Sequence, residues 1–158
     1  MKQFNPTIIK EDFNPKTGES YVIINYLDAD FYGKAKCHPE DKEYMGEFTG
    51  KSYAYERACI KAMKYELALE KAKCEECRKF VKSCMSYKNF DKTSGTAKAM
   101  FRQLNIRIKE VNKIIDAINA KEMKLITREK AQRVFNKKHK MKKDSNKDYL
   151  KLNNFELF

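Results

Sequence analysis

The sequence predicts an α+β domain: an N-terminal three-stranded antiparallel meander covered by two long antiparallel helices, with a shorter basic C-terminal helix. Two observations carry this. Up to Cys37 the chain holds short runs rich in β-branched and aromatic residues, separated by turn signals. After Thr49-Gly50 the apolar residues change to steps of three and four, the period of an amphipathic helix.

The elements follow in order. Thr7-Ile8-Ile9 lies in an outer strand over Pro6–Phe13, closed by the turn signal Asn14-Pro15-Lys16-Thr17-Gly18. Ser20–Leu27 is a second strand, and Asp28-Ala29-Asp30 can reverse the chain. In the third strand Phe31, Gly33, Ala35 and Cys37 share one face, while Tyr32, Lys34, Lys36 and His38 share the other. A glycine inside a strand predicts a bulge or the close approach of a helix, and Gly33 is such a glycine. His38-Pro39-Glu40-Asp41 ends the sheet and opens a polar loop to Gly50.

Cys59, Met63, Leu67, Cys74, Cys77, Val81 and Cys84 define a first helix over about Lys51–Lys88. Asn89–Gly95 breaks it. Ala97, Met100, Leu104, Ile108, Val111, Ile115 and Ile118 define a second. With an interruption at Asn119-Ala120-Lys121, Thr127 becomes the N-cap of a third, carrying Glu129 in its first turn and Ala131, Val134 and Phe135 as an apolar strip. Past Lys137 the apolar content collapses. The expected organisation is one domain over 1–137 and a basic, flexible tail over 138–158.

Composition limits the function classes. With 42% hydrophobic and 35% charged residues in 158, the chain is neither wholly disordered nor a membrane protein. No apolar run approaches the roughly 18 residues that span a bilayer, and the N-terminus lacks the apolar core of a secretory signal. A cytoplasmic location is expected. The net charge of +12 is unevenly spread: residues 1–50 carry −3 and residues 51–158 carry +15. Between Lys121 and Lys151 twelve basic residues face four acids. Such asymmetry marks a surface for a polyanion.

The five cysteines include one C-x-x-C, Cys74-Glu75-Glu76-Cys77. Structural zinc needs a second pair or a histidine pair, and four of the cysteines fall on the apolar stripe, where cysteine acts as a small hydrophobe. Neither a metal nor another cofactor is expected. Glu40, Asp41, Glu43 and Glu47 sit in one polar loop rather than converging from a rigid scaffold, and no nucleophile, zinc or phosphate-loop motif occurs. The reading is therefore non-enzymatic, with His38, Glu40, Asp41, Glu43 and Glu47 as a protein-contact loop. On a helix from Thr127, Lys130, Arg133, Lys137 and Lys140 line one face, thickened by Lys138, Lys142 and Lys143. These seven are the expected nucleic-acid contacts, because a ridge of cations tracks phosphates. Tyr21, Tyr26 and Tyr32 could stack bases from the sheet.

Gly33-Lys34-Ala35-Lys36-Cys37-His38-Pro39-Glu40-Asp41, followed by Gly50-Lys51-Ser52-Tyr53-Ala54-Tyr55-Glu56-Arg57-Ala58, resembles a pattern in small phage and prophage accessory proteins. There a strand ending G-x-A-x-C/H-P-x-D leads to a helix beginning G-x-x-x-A-x-x-R-A, and some members are described as double-stranded-RNA-binding-domain-like. The resemblance covers about a third of the chain. It implies a viral origin, a host-cell location and a helper role, such as inhibition of a bacterial defence system like CRISPR-Cas. It does not carry over duplex-RNA recognition. That domain has a helix before its sheet and a lysine cluster at its second helix, whereas here Lys51, Arg57 and Lys61 are spread out.

The expected partner is thus nucleic acid or a host nucleoprotein, engaged without a membrane. An alternative stays open: an oligomeric sponge for a nucleotide signal, or a protein-interaction module, with a homodimer through the long helices.

Overall fold

The computed structural model describes residues 4–39, 41 and 46–153, with side chains as far as Lys140. The elements are β1 (Thr7–Asn14), β2 (Glu19–Tyr26), β3 (Ala29–Lys36), α1 (Glu47–Met85) and α2 (Gly95–Asn153). The strands form an antiparallel meander in the order β1-β2-β3, which gives the expected α+β layout.

The first hairpin turn follows from local chemistry. Asn14 Oδ1 accepts from the amides of Lys16 and Thr17 at 2.9 and 3.3 Å, and Gly18 takes the left-handed conformation at φ 67°. The second reversal differs from the expected Asp28-Ala29-Asp30. Tyr26 pairs with Ala29, leaving Leu27 and Asp28 as a two-residue loop with φ of 52° and 58°. This is the double left-handed turn that matches sheet twist. Ala29 and Asp30 are already strand, and Asn25 Nδ2 donates to Asp30 Oδ1 across the pair at 2.7 Å.

A branched side chain in that region costs about 1–2 kcal/mol, and Leu27 is too exposed to recover it by burial. Leu27→Asn combined with Asp28→Gly is therefore expected to raise the unfolding free energy by about 1 kcal/mol, read from the urea midpoint.

Alternation along β2 puts Ser20, Val22, Ile24 and Tyr26 on the buried face, with Gly33, Ala35 and Cys37 beside them on the third strand and just beyond it. Against this face α1 presents Gly50, Ala54, Ala58 and Ala62, a stripe of small buried residues. The stripe lets the helix sit directly on the strand: a Cβ on Gly33 would stand 1.9 Å from the carbonyl oxygen of Ala54. Of the two readings of Gly33, the structure selects close helix approach. Tyr26 closes one end of this core. Its hydroxyl donates to Glu66 Oε2 at 2.9 Å, and burial together with that carboxylate pushes the phenol up to about 12.

The other face of α1 meets α2. Met63 packs with Ile114 and Ile118, and Cys74 and Val81 of the expected stripe are buried, with Leu67, Cys77 and Cys84 partly so. The layers are therefore sheet, α1, α2. Of the two helices, α1 covers the sheet and α2 packs on α1. The reason lies in α1, which is apolar on two sides, small residues toward the sheet and larger ones toward α2.

Between the helices Ser94 is the true N-cap: its Oγ accepts from the amide of Ala97 at 3.1 Å. Once started, α2 continues. Asn119-Ala120-Lys121 does not interrupt it, because none of the three is Gly or Pro and the surrounding residues are good helix formers. Thr127 is not an N-cap; its hydroxyl donates to the carbonyl of Met123 at 2.9 Å, the habit of threonine within a helix. The separate third helix is thus the far end of α2, and the backbone of 138–153, expected as a tail, prolongs it. Among the described residues no helix is long and apolar enough to cross a membrane.

Candidate functional site

Antiparallel pairing returns residues 128–136 of α2 to the beginning of α1. Four ion pairs mark the register. Glu56 meets Arg128 at 3.1 Å, Arg57 meets Glu129 at 2.7 Å, Lys64 meets Glu122 at 2.8 Å, and Glu70 meets Arg107 at 3.8 Å. The end of β3 arrives at the same place, since α1 crosses it at Gly33. Arg57 joins all three layers: Nη1 donates to the carbonyl of Lys34 at 2.6 Å while Nη2 donates to Glu129.

Where these elements meet, they border a half-open cavity of about 340 Å³. Cys37, His38, Pro39 and Asp41 form one wall, and Tyr53 and Arg57 of α1 form the second. Glu129, Gln132, Arg133 and Asn136 of α2 form the third. The Tyr53 ring lies 4.7 Å under the Arg128 guanidinium, and its hydroxyl is buried without a partner among the described residues. Burial raises the pKa of that phenol. Asn136 is 5% exposed, and its Oδ1 accepts from Gln132 Nε2 at 2.9 Å.

The predicted site residues divide. Lys130, Arg133, Lys137, Lys138 and Lys140 are exposed on α2, and no ion pair holds any of them among the described residues. The backbone of Lys142 and Lys143 continues the same helix, but their side chains lie outside the described residues. In the protein-contact loop, Glu40 and Glu43 also lie outside the described residues, whereas His38 and Asp41 line the cavity. Glu47 belongs to the first turn of α1, where it pairs with Lys51 at 2.6 Å. Of the tyrosines, Tyr26 is buried against α1, while Tyr21 and Tyr32 lie 6.0 Å apart on the outer face, with Lys10 and Lys61 over their rings. Arg133 is the one predicted contact that belongs to both the basic face and the cavity.

Sequence reasoning missed Tyr53, Gln132 and Asn136 as site residues. A signal for Asn136 existed: it lies three turns beyond Leu125 and in phase with Ile114 and Ile118, all buried. A polar residue in the register of an apolar stripe marks a place where the core opens.

None of the five cysteines is in a disulfide, and burial pushes the Cys59 thiol up. Among the described residues no three metal-ligating side chains come together.

The residues that carry the phage-protein resemblance have a shared position. Gly33, Ala54 and Ala58 make the helix–strand contact, Arg57 bonds the strand beside it, and Cys37, His38, Pro39 and Asp41 begin the cavity wall. The chain matches no family model, no curated protein and no solved structure.

Arg57 offers a test of this junction. Its side chain is 41% exposed and that of Glu129 is 28% exposed, so the ion pair is discounted for solvent. A double-mutant cycle of Arg57→Ala with Glu129→Ala is expected to give a coupling of about 1 kcal/mol by urea denaturation. The more exposed Lys64–Glu122 pair, put through the same cycle, should couple by only a few tenths, about 0.3 kcal/mol.

Proposed function

We propose that this protein is a non-enzymatic binder of nucleic acid or of a nucleoprotein, using the exposed basic face of α2 against the phosphate backbone. The observation that carries the reading is the state of Lys130, Arg133, Lys137, Lys138 and Lys140. All five are exposed and without ion pairs among the described residues, and they are concentrated between Lys130 and Lys140 of one helix. Unpaired cations at helical spacing are free to replace the counterions of a polyphosphate, and release of those counterions drives the association. The resemblance to phage accessory proteins supports a counter-defence role for such binding.

The test is a titration of a fluorescent oligonucleotide at increasing salt. Binding should weaken steeply between about 50 and 200 mM, with a log–log slope of about −3 to −4 for four or more phosphates neutralised. Lack of binding at low salt, or binding indifferent to salt, would overturn the reading.

A further inference from the structure

We infer that the cavity between the end of β3, α1 and α2 is a binding site for a single nucleotide, with its phosphate on Arg133 and its base edge on the paired amides of Gln132 and Asn136. The inference stands apart from strand binding by the basic face, and it names residues for the nucleotide ligand that the sequence left open.

The amides are the central observation. Asn136 is more than nine-tenths buried, and its Nδ2 donates to nothing among the described residues. An amide pair with one idle acceptor and one idle donor group at a pocket wall is available to a ligand that bonds both. Gln132 Nε2 is committed to Asn136 Oδ1, so the pair offers one free acceptor, Gln132 Oε1, and one free donor group, Asn136 Nδ2. The same holds if both amides are turned over: one bond between them always leaves a carbonyl oxygen and an NH₂. A nucleobase edge has that complement, as in the amino group and neighbouring ring nitrogen of adenine, the donor and acceptor that a side-chain amide recognises.

The other groups fit the rest of a nucleotide. Of the two cavity arginines, Arg57 is committed to Lys34 and Glu129, and Glu129 is neutralised by it. Arg133 has no ion pair among the described residues and is exposed at the cavity wall. It is the group that can take a phosphate in bidentate fashion. A volume of about 340 Å³ lies at the low end of small-molecule sites, room for one nucleotide and not for a run of strand.

Two sources share this chemistry, a free mononucleotide and the phosphorylated end of a strand. Calorimetry with adenosine 5′-monophosphate, adenosine, ribose 5-phosphate and a 5′-phosphorylated oligoadenylate tests both. Saturable binding of adenosine monophosphate is expected, weakened about tenfold by Arg133→Ala, with adenosine binding equally to both proteins. Gln132→Leu should weaken adenosine monophosphate and leave ribose 5-phosphate unchanged; it avoids the packing risk of replacing Asn136. Lys124→Ala, exposed on α2 outside the cavity lining, is the control. Tighter binding of the oligoadenylate than of the monophosphate assigns the site to strand ends, and the reverse assigns it to free nucleotide. Absence of saturable binding by either, equal affinity for ribose 5-phosphate and adenosine monophosphate, or indifference to Arg133→Ala would overturn the inference.

Discussion

Gly33→Ala is expected to be the most destabilising single-methyl change in the protein, lowering the unfolding free energy by about 3 kcal/mol or more. The added Cβ would lie 1.9 Å from the Ala54 carbonyl oxygen, 2.7 Å from the Ala58 amide nitrogen and 2.9 Å from the Ala54 carbonyl carbon. All three are helix backbone atoms, so no side chain can swing aside. Relief requires α1 to move off β3, and that movement would loosen the packing of Val22, Ile24, Cys59 and Ala62 at once. It would also draw Arg57 away from the Lys34 carbonyl and Lys61 from the Tyr32 carbonyl, now 2.6 and 2.7 Å. For a chain of this size the melting temperature should fall by roughly 10 °C. Gly95→Ala is the control, since nothing stands within 4 Å of a Cβ there and the residue begins a helix. A Gly33→Ala protein with an unchanged melting temperature would mean that α1 does not rest on the strand as described.

Gly33 also illustrates what sequence can convey. A glycine in the middle of an alternating strand has few explanations, and close helix approach was one of them. The three strands and the change of period at Thr49-Gly50 were equally legible, because patterning by twos and by three-to-fours is local. Less legible were features set by partners distant in sequence. Asn119-Ala120-Lys121 looks like a weak point in isolation. In the fold, Arg107 before the stretch and Glu122 and Arg128 after it bind Glu70, Lys64 and Glu56 of α1, so the helix is held across it. Leu27 could not be read as a turn residue, since leucine has no preference for positive φ; the strand register on both sides imposes it. The cavity was half legible. His38, Asp41 and Arg133 stood out by residue type, but their meeting depends on the antiparallel return of α2, and Asn136 drew no notice among the lysines.

That return also sorts the basic residues into two groups with separate consequences. Arg133 faces the cavity wall, whereas Lys130, Lys137, Lys138 and Lys140 are exposed outside the cavity lining. A single nucleotide and a phosphate backbone would therefore be held by different sets, with one arginine in common. Loss of one mode need not carry the other with it.

Replacing Lys130, Lys137, Lys138 and Lys140 together with alanine, while keeping Arg133, should accordingly weaken oligonucleotide binding far more than any other surface change. If each lysine neutralises one phosphate of a duplex, the log–log salt slope becomes shallower by about 0.9 for each, or roughly 3.6 in all. Between about 50 and 200 mM salt that difference amounts to roughly a hundredfold in affinity, lost by the parent protein and kept by the variant. At low salt, where the lysines contribute most, the variant should bind roughly two orders of magnitude more weakly. Stability should hardly change, because all four side chains are exposed and none has an ion pair among the described residues. Lysine and alanine are both good helix formers. An alternative explanation, that the lysines only keep a long helix soluble, makes the opposite forecast: the variant would aggregate or bind as before, with the parent's salt slope. A slope unchanged after removal of four cations would overturn the assignment of the polyanion surface to this face.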